Sequence, residues 1–149
     1  MTQVLWPLLG MLAGAFIAIQ APVNAELARG LGQPVAAAAL SFLSGAVFLA
    51  IVGAMFSQSQ GIWPNWKVPA PWLFVAGGLL GGCYVTIAVV LAPKLGAAAL
   101  MAFVVAGQLL AGLAIDRLGI LGIAVRELSL GRIAGAALLL AGAMMIRFT

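Results

Sequence analysis

Residues 72–115 read WLFVAGGLLGGCYVTIAVVLAPKLGAAALMAFVVAGQLLAGLAI, and within them one side chain is charged, Lys94. A charge cannot be hydrated in hydrocarbon, so a spanning helix needs about 20 mostly apolar residues. The turn Ala92-Pro93-Lys94-Leu95-Gly96 splits the stretch into two such lengths, about 72–92 and about 95–115. So short a turn predicts an antiparallel hairpin of two spanning helices. Working outward, three more apolar lengths stand at about 4–25, about 35–56 and about 131–147. The connectors are short. The expected fold is therefore an all-α membrane protein of five transmembrane helices, a single domain over residues 1–149.

Composition agrees with lipid as the solvent: 65% of residues are hydrophobic, 7% are charged, and mean hydropathy is +1.23. The net charge of +4 would suggest nucleic acid in a soluble protein. Here the basic residues stand singly at span ends, with no Lys/Arg run, which is how membrane proteins anchor; no nucleic-acid partner is expected. Cys83 is the single cysteine and lies inside the third span, so an internal disulfide is excluded. There is no histidine, which excludes His-based catalysis and His-ligated metal. No nucleophile–base pair or metal constellation is present, so neither an enzyme nor a cofactor is expected. Val23-Asn24-Ala25 has the small-residue look of a signal-peptide cleavage site. Met1-Thr2-Gln3 lacks the basic residue of an n-region, however, and the first span is read as retained.

Polar groups inside spans are costly unless they face protein or a water-filled cavity, so they mark candidate sites. Gln20, Asn24, Tyr84 and Gln108 are the conspicuous ones. Gln20 and Asn24 are four apart and share a helix face, with Pro22 between them unable to donate to the Ala18 carbonyl. Amides and a phenol donate and accept without carrying charge, which suits a neutral, zwitterionic or polar solute. Against that stands interhelical hydrogen bonding for the amides and core packing for Tyr84. The acids Glu26 and Asp116 sit at span ends and read first as interfacial ion-pair members, Glu26 with Arg29; coupling or gating is the second reading. Gly77, Gly78, Gly81 and Gly82 form two overlapping GxxxG pairs, and Gly131 with Gly135 makes another, so close helix packing is expected there. Ser129 is a candidate N-cap region residue for the last span. Trp63, Trp66 and Trp72, interleaved with Pro64, Pro69 and Pro71, predict a loop lying at headgroup depth, and Trp6 falls on the same side.

Five crossings place Lys67, Arg117, Arg126 and Arg132 on one side and Arg29, Lys94 and Arg147 on the other. A firm orientation normally shows a clear Lys/Arg excess on cytoplasmic loops, and this split gives almost no instruction. Either other factors orient the chain, or it inserts both ways and pairs as an antiparallel dimer, reproducing in two chains the inverted repeats that many transporters encode in one.

In order along the chain stand Gln20-Ala21-x2-Asn24-Ala25-x-Leu27, Ser41-Phe42-x2-Gly45, Gly77-Gly78-x2-Gly81, Pro93-x-Leu95-Gly96 and Gly107-Gln108-x7-Asp116-x2-Gly119. This succession resembles the YdcZ-like inner-membrane exporters of the drug/metabolite transporter (DMT) superfamily, over essentially the whole chain. The resemblance implies a bacterial inner (cytoplasmic) membrane protein of transporter type, in a family with dual-topology singles, oppositely oriented pairs and fused ten-span members. It supplies no substrate. The superfamily's small multidrug resistance proteins carry an essential glutamate inside the first helix. This chain departs from them, since its only acid near that span is Glu26, beyond Pro22; proton-coupled export of cationic drugs by that route is not expected.

The reading that results is an exporter of a small polar or amphipathic solute, working by alternating access as an antiparallel homodimer in the lipid bilayer. Two rivals remain: a passive dual-topology channel, as small fluoride channels are, and a small packing subunit of a larger membrane complex. A channel calls for a continuous polar stripe, and the polar residues here are isolated.

Overall fold

The structure, a computed structural model, describes residues 2–67 and 70–148. Val68 and Pro69 of the expected surface loop, and Met1 of the N-terminal segment, lie outside the described residues. Among those described, five helices are long and apolar enough to cross a membrane: α1 (Thr2–Leu31), α2 (Pro34–Gln60), α3 (Leu73–Leu95), α4 (Ala97–Leu118) and α5 (Leu130–Phe148).

Local chemistry sets the ends of these helices more sharply than hydropathy does. α1 continues past Pro22 to Leu31, and Gly32 then takes a positive φ of 68°. Gln33 is extended (φ −147°, ψ 110°), as a residue preceding proline must be, and Pro34 opens α2, where a missing N–H costs nothing. Gly61, left-handed at φ 67°, closes α2 after the polar run Ser57–Gln60. At the rise of a helix, 30 residues of α1 extend about 45 Å, longer than the ~30 Å hydrocarbon layer. The charged pair Glu26 and Arg29 stands near its C-terminal end.

Two compact units make up the chain, Met1–Val90 and Leu91–Thr149. In the first, α1 packs on α2. Ala28 of α1, Ala37 and Ala38 of α2, and Val85 and Val89 of α3 form a buried cluster with Tyr84 against it. The following loop places Trp63, Trp66 and Trp72 in exposed positions, stacks Trp66 on Phe74 at 6.4 Å between ring centres, and is pinned by the Lys67 N–H donating to Asn65 Oδ1. In the second unit, α4 packs on α5 through Ala106 and Leu113 on one side and Ala136 and Ala143 on the other. The turn opening this unit closes with the Gly96 N–H (φ 79°) donating to the Ala92 carbonyl at 3.0 Å. Gly119, at φ 62°, ends α4 by donating to the Ile115 carbonyl at 2.9 Å.

Burial is inverted relative to a soluble domain. The buried positions are mostly alanine, whereas leucine, phenylalanine and isoleucine dominate the exposed ones, up to Leu130 at 86%. Small residues let helices approach closely, and large apolar side chains gain nothing by leaving lipid for protein. Such an exterior is stable only against lipid or another apolar chain.

Candidate functional site

On α1 the buried residues Ala21, Asn24, Ala25 and Ala28 recur at helical spacing and form one stripe. Three are alanine, which lets a neighbouring helix come close; the fourth places a carboxamide in that contact. Asn24 is 5% exposed, and its Nδ2 has no hydrogen-bond partner. From α3, Tyr84 packs against the cluster that contains Ala28, and its hydroxyl is likewise buried and unpaired. The first unit thus holds two buried hydrogen-bond donors without a partner, one on α1 and one on α3. Leaving a buried polar group unpaired costs about 1–3 kcal/mol, so two in one unit need an explanation.

Three hydroxyls of this unit are provided for. Thr86 Oγ1 donates to the Gly82 carbonyl at 2.8 Å, Ser44 Oγ to the Ser41 carbonyl at 2.9 Å, and Ser59 Oγ to the Phe56 carbonyl at 3.0 Å. Each hydroxyl is satisfied by its own helix. Glu26 and Arg29 form an exposed ion pair one turn apart, with side chains 72% and 70% exposed. Gln20 is exposed, although it stands one turn before Asn24.

Beside the core runs an apolar groove of about 610 Å³ between α2 and α3, walled by Ala38 and Phe42 on one side and by Gly78, Gly82 and Cys83 on the other. A Cβ placed on Gly81 would stand 2.8 Å from Phe42 Cζ, so the ring and the glycine are in close approach. Gly77, Gly78 and Gly82 have nothing within 4 Å of that position, and the exposed Gly77 and Gly78 present bare backbone to the outside of the chain. The groove is a feature that reading the sequence missed. The motif Ser41-Phe42-x2-Gly45, a large ring between small residues, is its sequence signal.

Gln108 lies in the second unit and is exposed on α4. Asp116, at the end of α4, pairs with Arg132 of α5, and the two side chains are 24% and 31% exposed. The same guanidinium donates to the Glu127 carbonyl at 3.3 Å, and Arg132 N–H meets Ser129 Oγ at 3.3 Å, so Ser129 does cap the start of α5. Gly131 and Gly135 have no neighbouring helix against their Cβ positions; Gly131 meets only Ser129 Oγ, at 3.9 Å.

Five apolar helices, charges confined to their ends and an apolar exterior define a multi-pass membrane protein. Residues 5–145 match the family model described as "Putative inner membrane exporter, YdcZ". The chain belongs to that family, and it is an inner-membrane protein of exporter type rather than an enzyme. No curated protein and no solved structure matches it significantly.

Proposed function

We propose that this exporter moves a small polar or amphipathic solute by alternating access, as an antiparallel homodimer. The observation that carries the reading is the pair of unpaired buried donors, Asn24 Nδ2 and Tyr84 Oη. A solute carbonyl, ether or hydroxyl oxygen would pair with them, so that binding recovers the cost of keeping them dry. Gln20 and Gln108, exposed on the single chain, would join the pathway where a second chain covers them. Glu26 and Asp116 are each held by an arginine, and we assign them to interface ion pairs ahead of coupling or gating.

Three features support the dimer. The Lys/Arg split between the two sides is nearly even, five helices are few for a sealed pathway, and the bare backbone of Gly77 and Gly78 offers a close-packing face. Single cysteines introduced near Arg29 or Lys67, with Cys83 replaced, test the arrangement by impermeant labelling of whole cells. Partial labelling at both positions is expected, and wholly one-sided labelling removes the dual topology. In proteoliposomes, saturable counterflow is expected; unsaturable flux at channel rates would instead favour the passive pore.

A further inference from the structure

The second unit contains an apolar groove whose walls and rim fit a different ligand. Leu110, Leu113, Ala114 and Leu118 of α4 face Ile133 and Ala136 of α5 across about 480 Å³, and Leu128 of the connecting loop completes the wall. Along α4 these positions extend for roughly 12 Å at the helical rise. One charged residue lines the groove, Arg117 in the last turn of α4. Among the described residues no carboxylate lies within ion-pair distance of it. Asp116 beside it is engaged by Arg132, and Glu26 by Arg29. The Arg126 N–H donates to the Asp116 carbonyl at 2.8 Å, which holds a second exposed arginine at the same end of α4. Glu127 is the nearby acid on the loop, and it is exposed.

An unpaired guanidinium at the mouth of an otherwise hydrocarbon-lined groove is complementary to an anionic amphiphile. We infer that this α4–α5 groove is a binding site for an anionic phospholipid, with one acyl chain along Leu110–Leu118 and the phosphate at Arg117, assisted by Arg126. Guanidinium groups bind phosphate through paired N–H donors, and Arg117 stands at a span end, where headgroups are. The inference does not rest on the transported solute, whose proposed recognition groups Asn24 and Tyr84 lie in the other unit.

Native mass spectrometry of the detergent-purified full chain tests this. The protein is incubated with phosphatidylglycerol and phosphatidylcholine of matched chain length. Retention of phosphatidylglycerol with about tenfold preference is expected (about 1.4 kcal/mol per tenfold). Arg117→Gln should abolish the preference, Arg117→Lys should keep part of it, and Arg147→Gln should leave it unchanged. Circular dichroism of each variant establishes that it is folded. Equal retention of both lipids, or a preference unaltered in folded Arg117→Gln, overturns the assignment. Displacement of the lipid by millimolar inorganic phosphate also overturns it, because the apolar wall would then contribute nothing.

Discussion

The two units solve the problem of polar groups in lipid in opposite ways. In the second, Asp116 and Arg132 neutralise each other, Glu127 gives its carbonyl to the same guanidinium, and Ser129 accepts from the start of α5. In the first, the hydroxyls of Ser44 and Thr86 are returned to their own helices, yet Asn24 Nδ2 and Tyr84 Oη are left dry and unpaired. A network with all its members satisfied rigidifies a structure, whereas a half-satisfied one costs stability and persists where function requires it. The difference separates a unit whose ion pair and caps are matched within the chain from one that keeps two buried donors unmatched.

The sharpest way to break that comparison is to remove the unpaired donors. Asn24→Leu and Tyr84→Phe delete groups that have no partner in the chain, so stability should hold or rise slightly. Transport should fall roughly 5–150-fold for each, the equivalent of about 1–3 kcal/mol for a lost buried hydrogen bond. Thermal denaturation and counterflow, measured on the same preparations, check both halves. Lost stability with intact transport would make both residues packing elements and remove the proposed site.

The second unit should respond in the reverse sense. Asp116→Asn keeps the shape of the side chain and leaves Arg132 without its anion. Breaking a fully buried pair costs about 3–5 kcal/mol; with a quarter to a third of these side chains exposed, about 1–3 kcal/mol is expected. Hydrogen exchange should quicken at residues 126–136, where the Asp116 carbonyl and carboxylate both anchor the loop. An additional Arg132→Gln should recover part of the loss, because the residual cost is an unpaired cation. Unchanged exchange would mean that the loop is held by apolar contacts alone.

Much of this was legible before any coordinates, for a simple reason. Spanning helices need only sufficient apolar length, and each of the five apolar lengths read from the sequence falls on one of the five helices seen. Their ends were less legible, because Gly32-Gln33-Pro34 and Gly61, rather than hydropathy, stop the backbone. Gln20 and Asn24 looked equivalent at a spacing of four, and only the packing of the helices shows that one is buried and the other exposed. The pairing of Glu26 with Arg29 lay within one helical turn and could be read. The partner of Asp116 is an arginine on the next helix, which no local pattern names. The split of four similar polar residues into two dry donors and two exposed amides is therefore a product of tertiary structure.

Smaller effects sharpen the contrast among the glycines. Gly81→Ala drives a methyl group to 2.8 Å from Phe42 Cζ and should cost about 1 kcal/mol, recovered by Phe42→Leu. Gly77→Ala meets nothing within 4 Å and should stabilise the isolated chain by up to about 1 kcal/mol through helix propensity. If the α3 face is the contact with a second copy, Gly77→Leu will lower the dimer fraction in detergent without unfolding the monomer. An unchanged dimer fraction places the contact elsewhere.

The smallest expected effect belongs to Glu26, and it decides how the first unit works. Its partner Arg29 is as exposed as it is, so the pair exchanges one set of hydrated charges for another and contributes less than about 0.5 kcal/mol. Glu26→Gln should therefore leave the melting temperature unchanged. If the carboxylate only anchors α1 at the headgroups, the pH profile of transport will also be unchanged, because no proton is exchanged there during the cycle. A profile that flattens in Glu26→Gln while stability holds would make Glu26 the coupling group. The buried donors of Asn24 and Tyr84 would then provide recognition alone, with the driving force entering two residues beyond Asn24 along α1.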